Sequence, residues 1–372
     1  MNKLPLNQVL CGDCREVMAS WPEAGIDLVV TSPPYWGLRD YGHEDQIGLE
    51  PHPQKYIDNL VNTSQEIRRI LKPKGSYWLN LGDTYFSKQG NNSTYNKDTT
   101  LKGNNERWHY ERESDGSNWL QPKQLLGIPW RAATALQHDG WILRNCVIWY
   151  KPNHMPSSVK DRLTTSYEFI FFLVKQKKYY FNLDRIRVPH QTKGDYKDYT
   201  DKIHISERSK RDEVLTRNSL GKPNHPIGKN PGDTWPAHGP NTGSNNKEPY
   251  KQNNPHLSRI LHGTEAGHIK GKNPGDFWEI PTYPFPGAHF AVFPPALIEP
   301  IIKAACPKNG VVLDPFAGSG TALRVARKLG RRFIGIDINS EYVEMSERRV
   351  RADSYSPPPE GVPTLTELLD RE

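Results

Sequence analysis

The feature that most restricts this 372-residue chain is a short apolar run, Ile26 to Thr31, halted by consecutive prolines at 33 and 34. Ile26, Leu28, Val29 and Val30 have the length and hydrophobicity of a strand buried on both faces, as in a parallel sheet. Each proline lacks a backbone N–H and fixes φ near about −65°, so the strand cannot continue. A stiff loop, Ser32-Pro33-Pro34-Tyr35-Trp36-Gly37, must follow at a strand's carboxyl end, where open α/β sheets hold their ligands. Ser32 and the carbonyls of Ser32 and Pro33 are acceptors on this loop, with Tyr35 and Trp36 as flat apolar faces beside them. That pairing suits a planar group bearing an N–H₂. Taken alone, it suits equally a proline-rich turn whose aromatics pack on the core.

A second strand–turn–helix pattern lies near the other end, Gly310-Val-Val-Leu-Asp314-Pro-Phe316-Ala-Gly318-Ser319-Gly320-Thr-Ala. Such a turn lays a nucleotide-like ligand against exposed backbone N–H groups. Asp337 ends the following strand, 337 − 318 = 19 residues after the first loop glycine, where a carboxylate accepts the hydroxyls of a ribose. The third glycine of a dinucleotide-binding loop is absent. Asp314 sets a negative charge where a pyrophosphate would sit, which favours a cationic ligand without phosphate. S-adenosylmethionine, with its ribose, adenine and sulfonium, meets that description.

Composition narrows the classes further. Hydrophobic residues make up only 35% of the chain, and 29 glycines and 32 prolines imply extensive solvated loop. The formal charge of +7 points to a polyanionic partner. Cys11 and Cys14 form a CxxC without a second pair, and Cys146 and Cys306 stand alone, so neither a zinc nor a redox site is expected. No apolar run approaches the roughly 18 residues needed to span a bilayer, so the sequence reads as soluble and intracellular.

The chain divides by composition. Residues 1–87 are compact α/β, with a helix over 15–21, an amphipathic helix over 53–71 stopped by Lys72-Pro73-Lys74-Gly75, and a strand over 76–81. Residues 88–120 are a polar insertion. Residues 121–175 resume the α/β pattern, with a helix over 123–135 and strands over 141–150 and 167–174. Residues 176–272 hold 18 Lys+Arg against 10 Asp+Glu, a balance of 18 − 10 = +8, as expected of a nucleic-acid-reading insert or of a solvated one. Within it Gly228-Lys-Asn-Pro-Gly-Asp-Thr-Trp235 is echoed by Gly271-Lys-Asn-Pro-Gly-Asp-Phe-Trp278. Residues 273–350 return to α/β, with helices over 294–306, 321–329 and 341–350 and strands over 311–313 and 333–336. The tail, 351–372, is proline-rich.

The order TSPPYWG, DPFAGSGTA, GIDI resembles the permuted β-group of DNA amino-methyltransferases, whose target-binding motif precedes the cofactor loop. The likeness implies an S-adenosylmethionine-dependent, Rossmann-like methyltransferase fold, circularly permuted, with an inserted DNA-recognition region. It implies catalysis at Ser32, Pro33, Pro34 and Tyr35, and cofactor contacts from Asp13, His289, Phe290, Asp314, Phe316, Gly318, Ser319, Gly320 and Asp337. Trp36, Arg39, Lys177, Lys178, Arg185 and Arg187 are the expected DNA contacts. A serine at the head of the loop resembles cytosine-N4 enzymes, whereas Asp or Asn there is more usual for adenine-N6. Double-stranded DNA is then the partner, a cognate restriction endonuclease a possible second, and the cytoplasm of a prokaryotic or phage-type host the setting, with neither metal nor membrane involved. A nicotinamide oxidoreductase and a non-catalytic DNA-binding protein are the competing readings.

Overall fold

In a computed structural model of the chain, the described residues are 3–38, 40, 41, 43, 45–87, 119–189, 272–282 and 292–352. Eight strands form one sheet: β1 Gln8–Cys11, β2 Ile26–Thr31, β3 Leu71–Leu81, β4 Ile142–Tyr150, β5 Tyr167–Val174, β6 Phe277–Glu279, β7 Val311–Asp314 and β8 Arg332–Asp337. Their order across the sheet is β1-β8-β7-β2-β3-β5-β4-β6. All run parallel except β5, which is antiparallel to both β3 and β4.

Among the described residues, six helices cover the faces: α1 Cys14–Ala19, α2 Pro53–Ile70, α3 Ile128–His138, α4 Pro295–Ala305, α5 Thr321–Lys328 and α6 Ser340–Arg351. Alternation along the strands splits the core into two apolar layers. Val29, Tyr77, Leu79, Phe171 and Leu313 pack with Ile57, Leu60, Ile67 and Leu136 of α2 and α3. Leu28, Val30, Trp78, Phe172 and Val312 pack with Leu297, Ile301 and Leu323 of α4 and α5. The arrangement is the doubly wound α/β fold that the sequence implies. It places β2, from the start of the chain, directly beside β7, from its end. After β7 the chain crosses to β8 on one side, and after β2 it crosses to β3 on the other. The two prominent loops therefore flank the point at which the winding reverses, where such sheets open a crevice.

Two boundaries differ from the sequence reading. The Lys72–Gly75 stretch does not separate α2 from a later strand, because β3 begins at Leu71, immediately after the helix. Ile26 pairs with Leu71 and Leu28 with Ser76, so Lys72–Gly75 bulges out of the ladder. Lys72 uses the bulge to reach Asp27 at 2.8 Å, and Asp27 also accepts the Val311 N–H at 2.8 Å, linking β3, β2 and β7. A Cβ on Gly75 would stand 2.9 Å from the Asp27 carbonyl oxygen, so only glycine fits there. The second difference is α3, which starts at Ile128 rather than near Lys123. Lys123 and Gly127 both have positive φ, and the Asp83 carboxylate at the end of β3 accepts the N–H groups of Gly127 and Ile128, capping the helix from a distance.

Residues 176–189 run along the sheet's amino edge. The Tyr180 N–H donates to Lys74 at the start of β3, and Asn182 N–H to Ala304 at the end of α4. Val188 and Lys272 then exchange two backbone hydrogen bonds, of 3.1 and 2.9 Å, across the intervening insertion. Most of the basic region, and with it the first copy of the Asn-Pro-Gly-Asp echo, lies outside the described residues, as do 88–118 and 353–372. The second copy ends in β6, with Trp278 Nε1–H donating to the Gly275 carbonyl. Among the described residues no helix is long and apolar enough to cross a membrane. Replacing Asp27 by Ala is expected to lower the unfolding free energy by about 2 kcal/mol, because the buried Val311 N–H loses its acceptor. Urea unfolding of the two proteins measures it.

Candidate active site

Parallel strands bring every carboxyl end to one edge, and antiparallel β5 contributes its amino end there. That edge gathers Gly12 and Asp13 after β1, Ser32–Tyr35 after β2, Gly82 and Asp83 after β3, Lys151 after β4, Glu168 in β5, Asp314–Gly320 after β7 and Asp337 at the end of β8.

The β7–α5 loop is bent by glycines with positive φ, +50° at Gly318 and +75° at Gly320. A Cβ on Gly320 would stand 2.2 Å from the Ser346 Oγ and 3.2 Å from its Cα, because α6 crosses close by. Ser319 is buried, and its carbonyl accepts the Arg349 guanidinium. Asp314, 1% exposed, accepts the Thr31 hydroxyl at 2.6 Å and the Phe316 N–H at 3.2 Å. Burial pushes its carboxyl up to about 7, against the partial relief of those two donors. Asp337 accepts the Gly318 N–H at 2.7 Å and the Asn339 N–H at 3.0 Å, and burial raises its carboxyl too. Among the described residues no cation pairs with either acid. Two desolvated carboxylates beside a glycine turn fit a ligand with a cationic end and a vicinal diol, which is the chemistry of S-adenosylmethionine. Asp13 is already committed: it caps α1 and holds Arg15, which keeps its carboxyl low despite partial burial.

The β2 loop is braced from beneath. The Tyr56 hydroxyl donates to the Pro34 carbonyl at 2.8 Å, Trp36 Nε1–H donates to the Glu50 carbonyl at 2.8 Å, and Gly37 N–H donates to the Gly48 carbonyl at 2.7 Å. Above, the loop joins a polar cluster. Ser32 Oγ donates to the Tyr35 hydroxyl at 3.2 Å, and that hydroxyl donates to Glu168 Oε2 at 2.7 Å. Asn80 Nδ2 donates to both the Tyr35 oxygen and Glu168 Oε2 at 2.9 Å, and Lys151 pairs with Glu168 Oε1. The Tyr35 ring lies against Gly82, where a Cβ would come within 2.7 Å of it. Burial first, then the Glu168 charge, holds the Tyr35 phenol well above its ordinary range, so it stays neutral.

Of the expected residues, the structure draws together Ser32, Pro33, Pro34, Tyr35, Asp314, Phe316, Gly318, Ser319, Gly320 and Asp337, with Asp13 further along the same edge. Trp36 does not fit its expected role. It is 1% exposed within the core and offers no face to DNA. Lys177 and Lys178 follow the carboxyl end of β5, at the edge opposite the site, because β5 is antiparallel. Arg185 and Arg187 continue along that edge, and Arg187 pairs with Asp184 at 2.8 Å. Arg39, His289 and Phe290 lie outside the described residues. Asn80, Lys151 and Glu168 were not singled out from sequence. The available signal was a polar residue interrupting the apolar run in each of two segments, Asn80 in SYWLNL and Glu168 in SYEFIFFLV.

Two outcomes follow. Gly320→Ala is expected to cost about 2–3 kcal/mol from positive φ and the clash with α6, and Ser346→Gly in the same chain to return part of it, read by thermal denaturation. For Asp314 the folded value lies above the unfolded 3.8. Its contribution to stability is therefore fully present below about pH 4 and lost as pH rises to about 7. The stability of the cofactor-free protein should fall across that window more steeply than that of Asp314→Asn, measured by chemical unfolding at each pH.

A profile of the DNA methylase family matches residues 26–348. The Type II methyltransferase M.SfiI of Streptomyces fimbriatus is 37% identical, over 93% of this chain and 91% of its own length. M.SmaI of Serratia marcescens is 35% identical, over 92% and 90%. Among solved structures, the PvuII DNA methyltransferase (cytosine-N4-specific) superposes with a TM-score of 0.54 at 16% identity, covering 95% of this chain and 89% of that one. The chain belongs to the DNA methylase family and is an S-adenosylmethionine-dependent DNA methyltransferase of the N6/N4 type.

Proposed function

We propose that the enzyme methylates the exocyclic N4 amino group of cytosine at a specific site in double-stranded DNA. The observation that carries this reading is the neutral hydroxyl of Ser32 at the crevice. It heads a rigid loop tied to the cofactor loop through Thr31 and Asp314. The PvuII enzyme, which shares the fold, is cytosine-N4-specific, in line with the same choice. An aromatic amine is a poor nucleophile because its lone pair is delocalised into the ring. Acceptors at Ser32 Oγ and the Pro33 carbonyl would draw its two hydrogens towards tetrahedral geometry and localise that pair. Tyr35 would support the base in line with the methyl group.

Bound S-adenosylmethionine supplies the electrophilic methyl, with Asp314, the Gly318–Gly320 turn and Asp337 as the residues to hold it. The base must first leave the duplex, at a cost of a few kcal/mol. The +8 balance of residues 176–272 favours binding to the phosphate backbone. A ring-attacking thiol does not enter this scheme: none of the four cysteines lies in a Pro-Cys loop, and burial holds the thiols of Cys14 and Cys306 up to about 12 and that of Cys146 up to about 11. Since the relatives carry Type II names, a cognate restriction endonuclease is the expected companion.

Incubation with duplex DNA and labelled cofactor, followed by digestion to nucleosides, is expected to place the label in N4-methylcytosine. Ser32→Ala should lower the rate by about 10²-fold or more. Label in 6-methyladenine would move the target to adenine, and label in 5-methylcytosine would overturn the mechanism.

A further inference from the structure

We propose that Glu168, held by Lys151, fixes the direction of the hydrogen-bond chain at the site, so that Ser32 meets the target base only as an acceptor. This rests on the cytosine-N4 reading and deepens it. An ionised carboxylate can only accept. Three donors converge on Glu168: Lys151 on Oε1, and Tyr35 and Asn80 on Oε2. The single hydroxyl proton of Tyr35 is therefore spent on Glu168, and the Tyr35 oxygen must receive. It receives Asn80 Nδ2–H at 2.9 Å and the Ser32 hydroxyl at 3.2 Å. The Asn80 amide cannot be turned over, since its carbonyl would then face the Glu168 carboxylate. Both its hydrogens are taken at 2.9 Å, so the 3.4 Å approach of Nδ2 to Ser32 Oγ leaves the serine lone pairs available.

The polarity then reads from lysine to carboxylate, from phenol to carboxylate and from serine to phenol, and an incoming N–H donates last. Asn80 is 5% exposed and its Oδ1 has no partner, a second buried acceptor in the same cluster. A base with an amino group satisfies such a site. A base with a carbonyl at that position meets acceptor against acceptor. Glu168 acts through Tyr35 and Ser32, and is a positioning residue.

Glu168→Gln keeps the shape and reverses the logic. Lys151 would claim the amide oxygen and turn Nε2–H₂ towards Tyr35, releasing the Tyr35 proton to Ser32 and the Ser32 proton to the base. The test uses full-length protein saturated with S-adenosylhomocysteine. Duplexes carry cytosine or uracil at the methylated position, each opposite an abasic site so that unpairing costs are matched. The wild type should prefer cytosine by at least about tenfold, and Glu168→Gln should bring the two affinities within about threefold. Adding Lys151→Met frees the amide to present its oxygen and should restore part of the preference, which a purely structural role would not do. The turnover of Glu168→Gln should fall by about 10²-fold, with cofactor affinity unchanged within about threefold. If Glu168→Gln melts well below the wild type, Tyr35→Phe, which severs the same chain, should lose the preference instead. A wild-type preference retained in a folded Glu168→Gln, or in Tyr35→Phe, overturns the inference alone. Absence of N4-methylcytosine from the wild type removes the functional reading and the inference with it.

Discussion

A buried hydrogen bond couples the two prominent loops of this enzyme: Thr31 Oγ1 to Asp314 Oδ1, 2.6 Å, between residues 283 positions apart. It lies where β2 and β7 run side by side, and it couples the loop presenting Ser32 to the loop that turns at Gly318. Both partners are buried, so the bond forms in a low-dielectric setting where an unmatched carboxylate would be costly. The acid retains appetite for a cation even after accepting two donors, and the alignment of the two loops follows from satisfying it. The placement of the two loops relative to one another is therefore set by the sheet itself.

The rest of the molecule supports that junction. The Asp27 carboxylate repeats the linkage at the other end of the same strands, receiving Val311 N–H and Lys72 from the strands on either side of β2. Two apolar layers join the strands to the helices on either face, and bulged Lys72–Gly75 lets β3 follow α2 without a loop. The loop that bears Ser32 is fastened from both sides. Tyr56 and Trp36 fasten the loop from the core side, while Asn80, Lys151 and Glu168 fasten it from the neighbouring strands.

Much of this was legible in the residues. Val29–Gly37 and Gly310–Ala322 carry their local geometry in proline and glycine, whose backbone limits do not depend on partners. What escaped reading was tertiary. Trp36 looks like an aromatic plate when only its neighbours in sequence are known, and only the fold shows its indole bonded to Glu50 within the core. Lys177 and Lys178 read as DNA contacts by charge, but the reversed direction of β5 carries them to the far edge. Glu168 and Asn80 are polar letters set among apolar ones, and their meaning appears only when β3 and β5 pair in register. The start of α3 was misplaced because its cap, Asp83, is supplied by another strand.

The paired backbone bonds between Val188 and Lys272 have an evolutionary consequence. They close the neck of the long basic insertion at a single rung, on the catalytic unit itself, so the chain leaves and returns at one address. Because exit and return are held side by side, a change in the length of what lies between leaves the register of the flanking strands unaltered. A segment anchored in this way can differ in length between related chains while the sheet it leaves stays the same.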